Sequence, residues 1–236
     1  MFVLTRINLC RLKGLPILEQ LKAEEALLRV GSGNWCLINE GAPAAIVMGI
    51  SGKTEELIDP TQYQKSPVPV IRRFSGGGTV FIEENTLFVT FLFERADLDL
   101  GTSPKNLLEW TENLYKPLFA HTDFEAREND YVIGDKKIGG NAQYISKAKW
   151  LHHTSFLWDF CPDKMQLLKM PPKVPQYRNQ RSHDAFLTKL KYHFHSKEHF
   201  FDALIAELAT HFELNFASLP LLETPHRQSV ELLDKN

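Results

Sequence analysis

Apolar residues along much of the chain fall into short continuous runs bounded by glycine, proline or charged residues, a pattern typical of β-strands. These runs predict strands at 2–9, 35–40, 44–50, 68–71, 79–82, 87–93, 131–133, 137–138 and 152–160. The run at 87–93 is apolar at almost every position, which indicates a strand covered on both faces. Turn residues predict one hairpin through 83–86 and another through Gly134-Asp135.

Helical spacing replaces this pattern in four places. Leu18, Leu21 and Leu28 follow Pro16 at helical intervals, and Gly31 ends the predicted helix. Further helices are predicted from Ser103-Pro104 to a kink at Pro117, and near 182–194 and 196–213. Because the strands are clustered and do not alternate with helices, the sequence predicts an α+β fold with a mixed or antiparallel sheet flanked by helices.

A proline-rich break, "MPPKVPQY", interrupts the chain after its strand-rich part. We therefore expect a main domain at 1–170 and a helical C-terminal extension at 171–236 packed on it. A length of 236 residues fits one sizeable domain with such an addition.

The composition argues against some functional classes and indicates the cellular compartment. A net charge of -2 argues against a dedicated nucleic-acid binder, and no apolar run approaches membrane-spanning length. The three cysteines, Cys10, Cys36 and Cys161, are scattered and form no zinc-like pairs. We therefore expect a cytoplasmic protein that binds neither nucleic acid nor membrane.

Three consecutive glycines, in "IRRFSGGGTVF" at 71–81, are the first candidate for chemistry. Glycine weakens a strand, so three in a row between strand-prone segments indicate a ligand that closely approaches the backbone. Free backbone N–H groups there would bind an anion, and Arg72 and Arg73 would add charged hydrogen bonds. A flexible surface loop is the alternative.

A second glycine-rich stretch, "GDKKIGGNAQ" at 134–143, has two adjacent lysines on a predicted strand. Their side chains point to opposite faces, so one would enter a pocket while the other stays in water. A solvated hairpin is an equally good interpretation of this stretch alone. Of the neighbouring His152 and His153, only one can share a face with Lys137.

Two other mechanisms lack support in the sequence. "GISGKTEE" at 49–56 resembles the end of a P-loop, but Val47 stands where that motif requires glycine. No serine lies in the G-x-S-x-G context of a hydrolase. We interpret 49–56 as a polar loop that could border a ligand pocket.

Taken in order, "RRFSGGGTVF", "REND" (127–130), "GDKKIGGNAQ" and "HHTSFL" resemble the lipoate–protein ligase A family, and "EEALL" (24–28) resembles its first helix. The resemblance covers most of 1–160. It implies a biotin/lipoate ligase-like, class II synthetase-like catalytic domain, and a short form without the large C-terminal accessory domain, leaving a separate accessory subunit or none.

The resemblance also implies an activity. ATP, with Mg²⁺, activates lipoate to lipoyl-AMP, and the acyl group passes to a lysine of a lipoyl domain in an E2 subunit of a 2-oxoacid dehydrogenase or of the glycine-cleavage H protein. No tightly bound protein metal is expected. Preorganised cations and N–H groups suit this reaction between anions.

Carried over by position, the resemblance assigns roles to residues of this chain. Lys137 is the catalytic residue, and Asp130 lies near the nucleotide's magnesium. The nucleotide and acyl-adenylate site comprises Arg72, Arg73, Ser75, Gly76, Gly77, Gly78, Thr79, Val80, Phe81, Asn129 and Asp130. The lipoyl pocket is bordered by Gly140, Asn141, Ala142 and His153.

Departures from the family pattern leave alternatives open. "IEENT" follows Phe81 where a His-Asp pair and Gly-Asn are common, and Thr154 follows His153 where glycine is usual. The alternatives are an octanoyl transferase acting through Cys161 without ATP, and a non-catalytic lipoyl-domain-binding paralogue. Biotin attachment is a weaker alternative, because that family's nucleotide loop differs.

A basic segment at 173–197 has six Lys or Arg residues and one acid. We hypothesise that it docks acidic acceptor domains, with a solvated helix face as the alternative.

Overall fold

Twelve strands and seven short or medium helices make up the described chain, which in this computed structural model covers residues 4–171, 173–222 and 224–233. The strands are β1 (Arg6–Lys13), β2 (Asn34–Glu40), β3 (Ala45–Met48), β4 (Val70–Arg72), β5 (Val80–Ile82), β6 (Thr86–Glu94), β7 (Phe124–Arg127), β8 (Asp130–Ile133), β9 (Lys136–Ile145), β10 (Lys149–Leu157), β11 (Glu213–Phe216) and β12 (Glu231–Leu232). The helices are α1 (Ile17–Arg29), α2 (Thr54–Leu57), α3 (Pro60–Lys65), α4 (Pro104–Tyr115), α5 (Pro162–Met165), α6 (His183–Phe186) and α7 (Lys197–His211).

Two sheets form the framework. The larger has the order β11-β1-β2-β6-β10-β9-β8-β7, and the smaller has the order β12-β4-β3-β5. β1 pairs in parallel with both β2 and β11, and β3 pairs in parallel with β4, whereas the other pairs are antiparallel. The predicted α+β class with a mixed sheet flanked by helices is confirmed.

The large sheet is buried on both faces along its centre. Every residue of β6 from Thr86 to Phe93 is buried, as its apolar run predicted, and every residue of β10 is buried. One face packs against α4 and α7 through aromatic contacts, such as Phe93 with Trp110 of α4 and Phe156 with Phe200 of α7, whose ring centroids are 5.8 Å and 5.3 Å apart. The other face packs against α1 and the small sheet. The candidate site lies on this second face.

Most predicted elements are present with shifted bounds. The first strand starts at Arg6, and positions 2 and 3 of the predicted strand lie outside the described residues. The hairpin through Gly134-Asp135 is confirmed by antiparallel pairing of β8 with β9. The helix from Pro104 gives way at Lys116 to a 3₁₀ turn that contains Pro117.

The predicted hairpin through 83–86 is wrong. These residues do form a tight turn, in which the Thr86 N–H donates to the Glu83 carbonyl at 2.8 Å. The turn, however, carries the chain from β5 in the small sheet to β6 in the large sheet, so the two strands do not pair.

The helix predicted near 182–194 is also largely wrong. Ser182 caps α6, but the helix stops after one turn because Leu187 is extended and pairs with Lys137. Only a 3₁₀ turn at Leu190–Tyr192 follows. The extension at 171–236 is helical through α7, and it also adds β11 and β12, which sequence patterns did not predict.

Candidate active site

The triple-glycine loop connects β4 to β5 at the edge of the small sheet. The Arg73 guanidinium holds it from beneath, because its Nη2 donates to the carbonyls of Gly76 at 2.9 Å and Gly78 at 2.8 Å. Arg73 is only 4% exposed, and burial lowers its pKa to about 10, an effect that the charge of Glu24 opposes. Arg73 therefore shapes the loop in this structure. Arg72 points to the surface and pairs with Glu231 at 2.9 Å.

The loop lies against β9. A Cβ atom built on Gly77 would come within 3.1 Å of the Asn141 carbonyl oxygen and 3.8 Å of the Ala142 Cα. Gly77 has a φ of +108°, which only glycine adopts without strain. The two glycine-rich stretches of the sequence are thus brought into contact.

Gly49, in the turn after β3, lies on a third stretch of backbone that contacts the glycine loop. A Cβ on Gly49 would lie 2.3 Å from the Gly77 carbonyl oxygen, and Ile50 N–H donates to the Ser75 carbonyl at 3.0 Å. The 49–56 loop therefore borders the glycine loop. In the sequence, this loop was marked only by its incomplete match to a P-loop.

The glycine loop offers donors to a ligand. Gly76, Gly77 and Gly78 are exposed, and no acceptor among the described residues takes a hydrogen bond from their backbone N–H groups. Consecutive free N–H groups beside a buried cation form a concavity that suits an anion.

Lys137 reaches the same face of the sheet because of an irregularity between β8 and β9. Tyr131 pairs with Gly139, but the next residue, Val132, pairs with Lys137, so Ile138 is an extra residue. Such a bulge turns the side chains beyond it to the opposite face. Lys137 thereby shares a face with Asp130 and Gly140, while Lys136 is exposed.

Asp130 anchors the Lys137 ammonium. The Nζ–Oδ1 distance is 2.7 Å, and the second carboxylate oxygen accepts a hydrogen bond from the Tyr177 hydroxyl at 2.8 Å. A Cβ on Gly140 would lie 3.0 Å from the lysine Nζ, so a glycine is required for this position of the side chain. Tyr177 belongs to the C-terminal extension, and sequence reasoning did not select it.

Strand alternation separates the residues assigned to the lipoyl pocket. Ala142 pairs with His153, and their face of the sheet also includes Gly140. The Asn141 side chain lies on the opposite face, where its Oδ1 accepts from Thr154 Oγ1 at 2.9 Å. Only the backbone of Asn141 therefore lies against the glycine loop.

His153 is held by a buried carboxylate from α1. Its Nδ1 is 3.0 Å from Glu24 Oε1, and the same oxygen accepts from Thr90 Oγ1 at 2.7 Å and Gln20 Nε2 at 2.8 Å. Glu24 is fully buried. The "EEALL" match contained this residue, but its partner could not be read from sequence.

The remaining assigned residues surround the loop in different ways. Ser75 is buried, and Thr79 is half-buried. Val80 packs against the cluster that includes Ile17 and Leu21, whereas Phe81 belongs to a separate cluster that includes Phe160. Asn129 is exposed, and its carbonyl accepts from Asn141 Nδ2 at 3.2 Å.

Most cations of the basic segment have intramolecular partners. Arg178 is buried, and Arg181 pairs with Asp135 at 2.7 Å. Lys189 and Lys191 both contact Asp159. Asp135 and Asp159 thus offset only part of the positive charge of the segment, and docking of an acidic acceptor domain there stays a prediction.

The donor set does not fit a protein-held magnesium ion. Among the described residues no group of three or more His, Cys, Asp or Glu side chains could hold a metal. Both oxygens of Asp130 already have a donor, Lys137 on Oδ1 and Tyr177 on Oδ2, and a bound cation would lie beside the positive charge of Lys137. No helix in the described part of the chain is long and apolar enough to cross a membrane.

Comparison with known proteins places this geometry in a family. The lipoyl protein ligase A/B catalytic domain matches residues 16–213. The chain belongs to this family. It is 29% identical over 255 aligned residues to a Plasmodium falciparum protein named inactive lipoate–protein ligase 2, with 83% of this chain and 66% of that protein covered. It is 30% identical over 122 residues to lipoate-protein ligase LplJ of Bacillus subtilis, with 50% and 35% covered.

Solved structures show the same ligase fold. A lipoate-protein ligase A bound with ATP superimposes with a TM-score of 0.73 at 19% identity, over 92% of this chain and 88% of that chain. A bipartite lipoate protein ligase from Thermoplasma acidophilum, studied with its E2 lipoyl domain, gives 0.72 at 21%, over 92% and 87%. The chain spans between about a third and two thirds of the length of the two curated relatives described above.

Proposed function

We propose that this protein is a lipoate–protein ligase that activates lipoate with ATP and transfers the lipoyl group to a lysine of acceptor lipoyl domains. The observation that carries the proposal is the meeting of the exposed Gly76–Gly78 loop with the strand that bears Lys137. Family membership and a fold shared with an ATP-bound ligase support it.

In the first step, a lipoate carboxylate oxygen attacks the α-phosphorus of ATP. The bond from that phosphorus to the β-phosphate oxygen breaks, and pyrophosphate leaves with the electron pair. The free N–H groups of Gly76–Gly78 would bind the phosphate oxygens, and Lys137 would stabilise the charge that develops between the two anions. Magnesium would arrive with the ATP phosphates, as is usual for this ion.

In the second step, the acceptor lysine amine attacks the acyl carbon of lipoyl-AMP. The acyl–oxygen bond breaks, AMP leaves with its phosphate charge, and the amine loses a proton to solvent. Lys137 would again stabilise the leaving phosphate. His153, fixed by Glu24, would border the lipoyl chain together with Gly140 and Ala142.

The proposed acceptors are lipoyl domains of E2 subunits and the glycine-cleavage H protein. The Thermoplasma ligase was studied with its E2 lipoyl domain, which supports the first of these. That ligase is bipartite, and for this chain the proposal keeps both alternatives, a separate accessory subunit or none. A cytoplasmic location remains an expectation.

The decisive experiment uses purified protein, lipoate, Mg-ATP and a lipoyl domain. We expect ATP-dependent pyrophosphate release and a lipoyl mass increase on the acceptor. Lys137→Ala should abolish both, while Lys136→Ala, the exposed neighbour, serves as the matched control. ATP-independent transfer that survives Lys137→Ala would refute the ligase and favour an octanoyl or lipoyl transferase.

The transferase alternative needs Cys161 as its nucleophile. Cys161 is half-buried at the start of α5, and its backbone N–H donates to Glu83 Oε1 at 3.2 Å. The described contacts do not link it to the Lys137 cluster. A Cys161→Ala variant should keep its activity, and loss of acyl transfer would support the transferase.

A non-catalytic lipoyl-domain-binding role is the second candidate, because the Plasmodium relative is named an inactive ligase. Calorimetry separates the two functions. Acceptor binding without any binding of ATP, or of lipoyl-AMP, would favour the non-catalytic role.

A further inference from the structure

A segment of the C-terminal extension crosses the strand that carries Lys137. We call residues 176–188 the strap. Its backbone joins the edge of β9, because Leu187 pairs in parallel with Lys137 and the Thr188 N–H donates to the Lys137 carbonyl at 2.9 Å. The strap therefore touches the main chain of the candidate catalytic residue directly.

The strap also reaches the Lys137 side chain through one intermediary. The Tyr177 hydroxyl donates to Asp130 Oδ2 at 2.8 Å, while the Lys137 ammonium forms an ion pair with Asp130 Oδ1 at 2.7 Å. Asp130 is only 7% exposed. Burial, and then the charge of Asp130, strongly raise the pKa of Tyr177, so the phenol stays a neutral donor at physiological pH.

Arg181 fixes the strap in this position. Its guanidinium donates to Asp135 Oδ2 at 2.7 Å, to the Asp135 carbonyl at 2.8 Å and to the Tyr177 carbonyl at 2.9 Å. Arg178 and Arg181 also donate to each other's carbonyls at 3.0 Å. Asn179 and Gln180 have φ angles of +47° and +57°, which turn the chain back so that these contacts form.

We propose that Tyr177 is a positioning residue that sets the availability of the Lys137 ammonium by sharing Asp130 with it. The effect on catalysis rests on the proposed function. The effect of Tyr177 on Lys137 through Asp130 does not depend on it. Tyr177 touches neither reacting atom, and its effect passes through Asp130.

The direction of the effect follows from competition for one carboxylate. A carboxylate that accepts a hydrogen bond from a phenol has less negative charge to offer a second donor. Without the phenol, Asp130 would attract the Lys137 ammonium more strongly. The lysine would then leave Asp130 less readily, and its ammonium would contact the phosphate oxygens less in the transition state.

Chemical labelling of amines tests the arrangement without requiring activity. Brief treatment of the protein with acetic anhydride at about pH 8, followed by peptide mass spectrometry, reports the acetylation rate of Lys137. The exposed neighbour Lys136 provides the internal control. Tyr177→Phe removes only the donated hydrogen bond and should slow acetylation of Lys137 roughly threefold relative to Lys136.

A double-mutant cycle separates this role from a merely structural one. Asp130→Asn removes the ion pair and should speed acetylation of Lys137, and Tyr177→Phe should then add nothing in the Asp130→Asn background. If the strap only covers the site, Tyr177→Phe would leave acetylation unchanged or make it faster in both backgrounds. Either result would overturn the inference.

Kinetics test the catalytic consequence. We expect Tyr177→Phe to lower the kcat of pyrophosphate release about fivefold while the KM values for lipoate and ATP change less than about twofold, since an interaction made in the transition state is weakened. An unchanged kcat would overturn the role in catalysis. A wild-type protein that releases no pyrophosphate would refute the proposed function, and the labelling results would still decide whether Tyr177 acts on Lys137.

Discussion

The backbones of Gly77 and Asn141 lie so close together that no side chain fits at position 77. A Cβ on Gly77 would lie 3.1 Å from the Asn141 carbonyl oxygen and 2.7 Å from Arg73 Nη2. This contact joins the two halves of the candidate site, which are separated in sequence and lie in different sheets.

Gly77→Ala should therefore destabilise the loop, whereas Gly76→Ala should not. Alanine at a φ of +108° costs roughly 1–2 kcal/mol from backbone strain, and its methyl group would push the loop away from β9. A Cβ on Gly76 meets no protein atom within 4 Å, so that variant is the matched control for stability. Thermal unfolding compares the two variants. Equal stability of the two variants would contradict the assigned role of the Gly77 contact.

Gly139→Ala and Gly140→Ala should separate stability from activity. A Cβ on Gly140 would lie 3.0 Å from the flexible Lys137 Nζ, so the lysine must move and adenylate formation should fall by about tenfold or more. A Cβ on Gly139 would lie 2.9 Å from the buried Phe156 ring, so that variant should lose about 1–3 kcal/mol of unfolding free energy. Denaturant titration and single-turnover kinetics distinguish the two. The reverse assignment would show that Gly140 does not serve Lys137.

The two arginines before the loop should differ in importance. Arg73→Lys removes the planar fork in which Nε and Nη2 both donate to the Gly76 carbonyl and Nη2 also donates to the Gly78 carbonyl, and a buried donor or acceptor left unpaired costs about 1–3 kcal/mol. Arg72→Gln removes a surface pair with Glu231 and should cost less than about 1 kcal/mol. Urea unfolding and ATP affinity should both show the larger loss for Arg73→Lys. A larger loss of ATP affinity in Arg72→Gln would instead make Arg72 the phosphate contact.

Stability should fall on acidification because of His152. Burial, and second the neighbouring His153, lower the pKa of His152 from its usual value of about 6.5 to about 3. Between those values the unfolded chain binds a proton that the folded protein does not. The unfolding free energy should therefore decrease by roughly 1.4 kcal/mol per pH unit as pH falls from about 6 to 4. In His152→Gln this contribution should vanish, and an unchanged slope would contradict it.

The sequence predicts those features that depend on local pattern. The amphipathic α1, the largely apolar β6 and the β8–β9 hairpin follow from residues close together along the chain. The glycine loop is marked by three consecutive glycines between strand-prone segments, whereas Lys137 is singled out from Lys136 only by the resemblance to the ligase family.

Features that depend on distant pairings were not predicted. β11 pairs with β1 although its sequence, "ELNF", is too short and mixed to signal a strand. The extra residue Ile138 is visible only in the register between two strands. Tyr177 and Glu24 are unremarkable in sequence, and they acquire a role through partners far along the chain.

The pairing of β12 with β4 bears on how the protein folds during its synthesis. Glu231 lies opposite Arg72, next to the residue that holds the glycine loop, and Glu25 accepts hydrogen bonds from the backbones of Ser229 and Val230. β4 emerges from the ribosome long before β12 does. Until then its edge is uncovered and open to wrong pairing. The edge of β4, beside the loop proposed to bind the nucleotide, would thus stay uncovered until translation has passed residue 232.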